Sequence, residues 1–205
     1  MMADGNADQG LLHRLVGSGG VVVGSSADVR VIRARPSILL QAVVELGERT
    51  KEGHLIEAVA PAWFEIAKMI EKDPSAMYQI ADRKWEELIA AWYKAYGFDE
   101  VILTPRSGDL GRDVIAIKRG ILSVRIIDQV KAFSPGRLVS ANDVRALLGV
   151  LGSDRAASKG LVTTTSDFAA KITEDELIAP YLPTRLELVN GAGLVTRLAD
   201  VAKKQ

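Results

Sequence analysis

Residues Arg112 to Lys131 read RDVIAIKRGILSVRIIDQVK. VIAI and VRII are short apolar runs rich in β-branched residues, and KRGI between them carries turn chemistry, so the pattern predicts two antiparallel strands joined by a tight connection. Side chains alternate across a strand, which puts Gln129 and Lys131 on one face and Val130 on the other. Folding the hairpin over KRGI brings the outer ends of its strands together. Asp113 then lies near Gln129 and Lys131, and a carboxylate, an amide and an ammonium converge.

The neighbouring sequence extends this hairpin into a sheet. EVILTP, immediately before it, reads as a further strand. Ahead of that, RKWEELIAAWYKAYG places Trp85, Leu88, Ile89, Trp92 and Tyr96 on one helical face, with Asp82 as N-cap and Gly97 as stop. Downstream, SANDVRALLGVLG reads as a helix opened by Ser140 or Asn142, and KGLVTTT as a strand. SDFAAKITEDELIAP reads as a second helix capped by Ser166 or Asp167, and TRLELVN as a last strand. The order α-β-β-β-α-β-α-β implies an α/β fold: a mixed sheet, antiparallel first and then parallel through a crossover helix, with helices on both faces.

The N-terminal part has a different character. Residues 1–30, with GSGGVVVGSS at their centre, have the composition of a flexible tail or linker, VVV being a small edge strand at most. Residues 31–75 read as a helical accessory segment. SILLQAVVELGERTKEG carries Ile38, Leu39, Ala42, Val43 and Leu46 at helical spacing. HLIEAVAPAWFEIAKMIEKDP continues it, with a break at Pro61 and an end at Asp73-Pro74. The remaining 76–205 form the main domain.

Composition narrows the chemistry. The 205 residues are 48% hydrophobic, enough for one domain with a substantial core. There is no cysteine and there are only two histidines, His13 and His54. Disulfides, thiolate zinc sites and cysteine nucleophiles are excluded, and any bound metal must be a hard cation on oxygen ligands. No apolar run reaches the roughly 20 residues of a membrane span, and the N-terminus lacks the pattern of a secretory signal, so the expectation is a soluble cytoplasmic protein without a membrane partner. The formal net charge is zero, yet residues 101–145 carry eight basic and four acidic side chains. That local excess favours an anionic ligand, and Arg112, beside Asp113, is a candidate contact for it.

An acid, an amide and an amine at one strand end suit phosphodiester hydrolysis. Asp113, Gln129 through its side-chain oxygen, and one of Glu86 and Glu87 from the preceding helix are the candidate cation ligands. A divalent cation there polarises the scissile phosphate and lowers the pKa of a bound water. Lys131 orients that water or balances charge developing on the phosphate.

The same residues carry a resemblance. WEELIAAWYKAYGFDEVILTPRSGDLGRDVIAI, DQVKAF, NDVRALLGVL, KGLVTTTSDF and LELVNGAGL resemble, in order and spacing, the Mrr-type restriction endonuclease catalytic domain of the PD-(D/E)xK nuclease superfamily. The resemblance covers residues 76–200. It implies a restriction-endonuclease-like fold with an α-β-β-β-α-β core, and a DNA endonuclease of restriction or defence type that uses Mg²⁺, with Mn²⁺ as a substitute. It implies Glu86, after Trp85, as the helix carboxylate, Asp113 as the carboxylate of the GD-G-x-D turn, and Gln129 and Lys131 as the Q-x-K element. Thr164, Thr165 and Ser166 of the TTSDF block are implied to hold a phosphate at a helix N-terminus.

The sequence departs from the family pattern where Leu110 replaces a turn glycine and where Ala132-Phe133 follows the lysine. These departures motivate a second reading, a DNA-binding module that keeps the fold without catalysis; a third reading is a structure-specific junction or repair nuclease on the same fold. Cutting both strands calls for two active sites, so a homodimer or a partner subunit is expected alongside DNA.

Overall fold

A computed structural model of the chain describes residues 20–22, 31–33, 37–105 and 111–203. The chain divides into two compact units, Met1–Ser37 and Ile38–Gln205. In the first, β1 (Gly20–Val22) and β2 (Val31–Arg33) pair antiparallel, Val21 opposite Ile32. The tail expected over residues 1–30 otherwise lies outside the described residues.

The second unit is built on a seven-stranded mixed sheet in simple sequence order: β3 (Val44–Arg49), β4 (His54–Val59), β5 (Glu100–Leu103), β6 (Val114–Lys118), β7 (Val124–Lys131), β8 (Lys159–Thr164) and β9 (Leu186–Val189). Neighbours are antiparallel up to β7 and parallel from β7 to β9. The antiparallel members need only short turns, whereas each parallel step needs a crossover. α3 (Ala141–Ser153), opened by a capping box between Ser140 and Asp143, makes the first crossover.

The two faces of the sheet bury different cores. α1 (Pro61–Lys72), α2 (Asp82–Ala95) and α4 (Gly191–Ala202) cover one face. There Trp63, Ile66, Trp85, Leu88, Val114, Ala116 and Leu198 pack together. Both indoles are anchored, Trp63 Nε1 donating to the Leu88 carbonyl at 2.9 Å and Trp85 Nε1 to that of Met77 at 3.2 Å. α3 covers the other face through Val144, Leu147 and Leu151, which meet Ile127 and Val162. The alternation predicted for the hairpin is therefore observed, Val114 and Ala116 facing one core and Ile127 the other.

Two expectations are corrected, and one helix is added. The helical stretches read up to Gly53 and from His54 to the break at Pro61 are instead a short 3-10 turn, Ser37–Leu40, followed by the β3–β4 hairpin, so this part of the accessory segment extends the main sheet. Register shifts around Leu46 break the two-residue period that would have marked β3 as a strand. The helix read over residues 166–180 is an irregular connection with two 3-10 turns, Ile172–Glu174 and Ala179–Tyr181. Lys171, with φ 63°, interrupts any helix there. Its Ile172 and Ile178 nonetheless close the α3 side of the core. Finally, α4 was not foreseen as a helix, because it opens on GAG, a poor helix-forming sequence.

Candidate active site

The β6–β7 register fixes the relation between the three polar residues. Val114 lies opposite Asp128, so the next pair outward is Asp113 with Gln129, on the face away from α2. The backbone continues the ladder at this point, the Asp113 N–H donating to the Asp128 carbonyl at 3.2 Å. The Asp113 carboxylate then accepts the Val130 N–H on Oδ2 at 2.7 Å, which ties it to the segment between Gln129 and Lys131. Gln129 and Lys131 share that face by strand alternation.

Gln129 is 8% exposed, and its Oε1 has no hydrogen-bond partner among the described residues. A buried acceptor without a donor is costly unless something else occupies it. Its amide nitrogen lies against the turn that leads into Asp113: a Cβ on Gly111, where φ is 78°, would come within 3.3 Å of Nε2. The Lys131 ammonium lies on the α3 side. There Asp143, despite burial acting in the opposite sense, is held below the usual carboxylate range by Ser140 and, more weakly, by Lys131 and Arg137.

Glu86 reaches the same end of the sheet from the opposite layer. It pairs with Arg83, whose guanidinium donates to the Thr104 carbonyl at 2.9 Å, while the Thr104 N–H donates to the Asp113 carbonyl at 3.1 Å. Glu86 is thus connected to Asp113 through Arg83 and Thr104. Among the described residues no group of three His, Cys, Asp or Glu side chains could hold a metal.

The remaining predicted residues have other partners. Arg112 turns towards Glu52 and Asp154, at 3.5 Å from each, in a network that Arg125 shares at 2.6 and 3.1 Å. Thr164 and Thr165 are buried, and their hydroxyls donate to the carbonyls of Lys131 and Phe133, both at 2.7 Å. The helix N-terminus expected after Ser166 is missing. In its place α4 begins alongside: the Gly191 N–H donates to the Ser166 carbonyl at 2.8 Å. A Cβ at Gly191 would stand 2.6 Å from the Thr165 carbonyl, so only glycine permits this approach. Between the 3-10 turn Pro74–Gln79, the 135–138 loop, residues 165–167 and the start of α4 lies a crevice of about 600 Å³.

The sequence reading missed the carboxylate of Asp128, next to Gln129 but on the α2 side. It is 1% exposed, with Oδ2 accepting Tyr93 Oη at 2.9 Å and Thr163 Oγ1 at 3.1 Å, and with Oδ1 unpartnered among the described residues. Burial pushes its pKa up to about 7, against the two hydroxyl hydrogen bonds. Burial, and then the Asp128 carboxyl, raises the Tyr93 phenol well above its ordinary value. The available signal was an acid at a core-facing position of an apolar strand.

Residues 77–198 match the Mrr catalytic-domain family, described as restriction endonuclease. The chain belongs to that family. Among curated proteins none matches. Two solved structures are similar. The MspJI restriction endonuclease in complex with a 27-mer oligonucleotide is 21% identical, with a TM-score of 0.41 over 69% of this chain and 32% of that one. The DNA modification-dependent restriction endonuclease AspBHI is 16% identical, with a TM-score of 0.43 over 88% and 46%. The chain therefore spans less than half the length of either.

Proposed function

We propose that the chain is a divalent-metal-dependent DNA endonuclease of restriction type, with residues 76–205 as its catalytic module. The observation that carries this reading is the end of the β6–β7 hairpin. There Asp113, fixed by the Val130 N–H, stands opposite a Gln129 whose buried Oε1 has no partner among the described residues. This donor set suits a hard cation such as Mg²⁺, or Mn²⁺ in its place. Asp113 and Gln129 would hold the ion, with Glu86 as the third candidate ligand. When bound, the ion supplies phosphate polarisation and a more acidic water.

The chain's own residues do the rest. The Val130 N–H orients the Asp113 carboxylate. Lys131, on the same face, offsets negative charge on the phosphate and orients the attacking water. Arg112 approaches phosphates only by giving up part of its pairing with Glu52 and Asp154. Thr164 and Thr165 serve by holding the end of β7 in place, and Ser166 remains a substrate contact. Cutting both strands requires a second site, contributed by another copy of the chain or by a partner subunit.

The test is incubation of supercoiled plasmid with purified chain in Mg²⁺ or Mn²⁺, with an EDTA control. Nicked and linear DNA should accumulate only with metal, and Asp113→Ala and Lys131→Ala should abolish it. A folded wild-type chain that leaves DNA and RNA intact across a range of divalent ions would remove the proposal.

A further inference from the structure

The two residues after Lys131 are committed to packing, Ala132 against the α2 side of the core and Phe133 against the α3 side. The chain then doubles back. The Phe133 N–H donates to the Lys131 carbonyl at 2.9 Å, and the Arg137 N–H donates to the Ser134 carbonyl at 3.1 Å, closing a turn over Pro135 and Gly136. This return sets the Arg137 guanidinium over the Phe133 ring, 3.9 Å from its centroid. Phe133 is itself fixed, its carbonyl accepting Thr165 Oγ1 at 2.7 Å.

Arg137 and Lys131 share one side of the sheet. Phe133, which carries Arg137, packs on the α3 side, where strand alternation also directs Lys131. Both cations help to hold Asp143, in the first turn of α3, below the usual carboxylate range. The Asp143 carboxylate is nevertheless taken up by Ser140, whose N–H and Oγ donate to it at 2.9 and 2.6 Å. Neighbouring arginines are engaged: Arg112 and Arg125 with Glu52 and Asp154, Arg119 with Glu100, and Arg145 with Asp175. Arg137 is exposed and has no ion-pair partner among the described residues. A guanidinium stacked on a fixed ring keeps its edge donors outward and has less side-chain freedom to lose on binding, and those donors match phosphate oxygens.

We propose that Arg137 binds a phosphate of the DNA backbone adjoining the one held at Asp113 and Lys131. Such a contact adds affinity on any sequence and does not choose among bases. The inference rests on the nuclease reading, so it is tested by binding as well as by cutting. Binding of a labelled duplex is measured in Ca²⁺, in place of Mg²⁺, over a series of salt concentrations. Arg137→Ala should weaken it at least about fivefold and make the dependence of log K on log salt shallower by about 1, equally on duplexes of unrelated sequence. Arg137→Lys should keep the salt dependence while losing part of the affinity. Lys68→Ala, which removes an exposed charge on α1, should change neither. In plasmid cleavage, Arg137→Ala should raise KM by a similar factor and lower kcat less.

Binding that depends on Arg137 in this way, with no cutting by the wild type, would overturn the nuclease reading and leave the phosphate contact standing. Cutting in which Arg137→Ala keeps the wild-type KM and salt dependence would overturn the contact and leave the nuclease. A salt dependence that Lys68→Ala flattens as much as Arg137→Ala would also overturn the contact, since net charge alone would then account for it. A chain that binds no DNA would overturn both.

Discussion

Asp128 and Gln129 are consecutive residues of one strand, each with a side-chain oxygen that no described residue satisfies, yet they stand in opposite surroundings. Asp128 points into the closed core beneath α2, where Tyr93 and Thr163 both donate to one of its oxygens and burial raises its pKa to about 7. Gln129 points to the other face, at a strand end, beside the Gly111 turn and opposite Asp113. A leftover acceptor in a closed core makes protonation the response. A leftover neutral acceptor beside a carboxylate at the rim offers a ligand position instead.

The comparison breaks most visibly in activity. Asp113→Ala and Lys131→Ala should each lower plasmid cleavage by at least about 100-fold, with circular dichroism unchanged. Asp128→Asn, which keeps shape and neutrality, should stay within about threefold of wild type. If the asparagine variant is as inactive as Asp113→Ala, the two faces do not divide their roles as argued.

The next effect is on stability against pH, measured in EDTA by denaturant unfolding. The folded Asp128 carboxyl keeps its proton up to about pH 7, while an unfolded one loses it near 3.8. Across that window the folded state binds more protons, so this group's contribution to stability falls as pH rises from 4 to 7 and levels off above. The change is a few kcal/mol at most, and Asp128→Asn should erase that component. A wild-type profile identical to that of Asp128→Asn would show that Asp128 does not titrate as its burial implies.

Tyr93→Phe removes one donor to Asp128 and should lower unfolding free energy by about 1–3 kcal/mol while leaving the metal requirement of cleavage intact. Gly111→Ala should have the smallest effect, about 1 kcal/mol from its left-handed backbone. Because its Cβ presses on the Gln129 amide, it should weaken Mg²⁺ dependence more than folding, which a metal titration of cleavage rate would read.

Local pattern carried much of this in the sequence. The β-branched apolar runs VIAI and VRII on either side of the KRGI turn gave the β6–β7 hairpin, and the Trp85–Trp92 face gave α2. Asp113, Gln129 and Lys131 were legible because strand period and a short turn alone bring them together. The β3–β4 hairpin was not, since bulges around Leu46 spoil its period and its apolar residues happen to match a helical spacing. Nor were the roles of Thr164 and Thr165, because a hydroxyl bound to a carbonyl in the next strand leaves no trace in sequence. The Asp128 cluster depends on two contacts that only the assembled sheet defines.

The switch from antiparallel to parallel pairing at β7 has a consequence for the order of assembly. The contact between Asp113 and Val130 closes 17 residues of chain, whereas those joining Asp128 to Tyr93 and to Thr163 each close 35. Loop-closure entropy rises with the length enclosed, so the nearer contact is the cheaper to form early. Closing the acid–amide pair therefore costs the chain less entropy than sealing the buried carboxyl behind it.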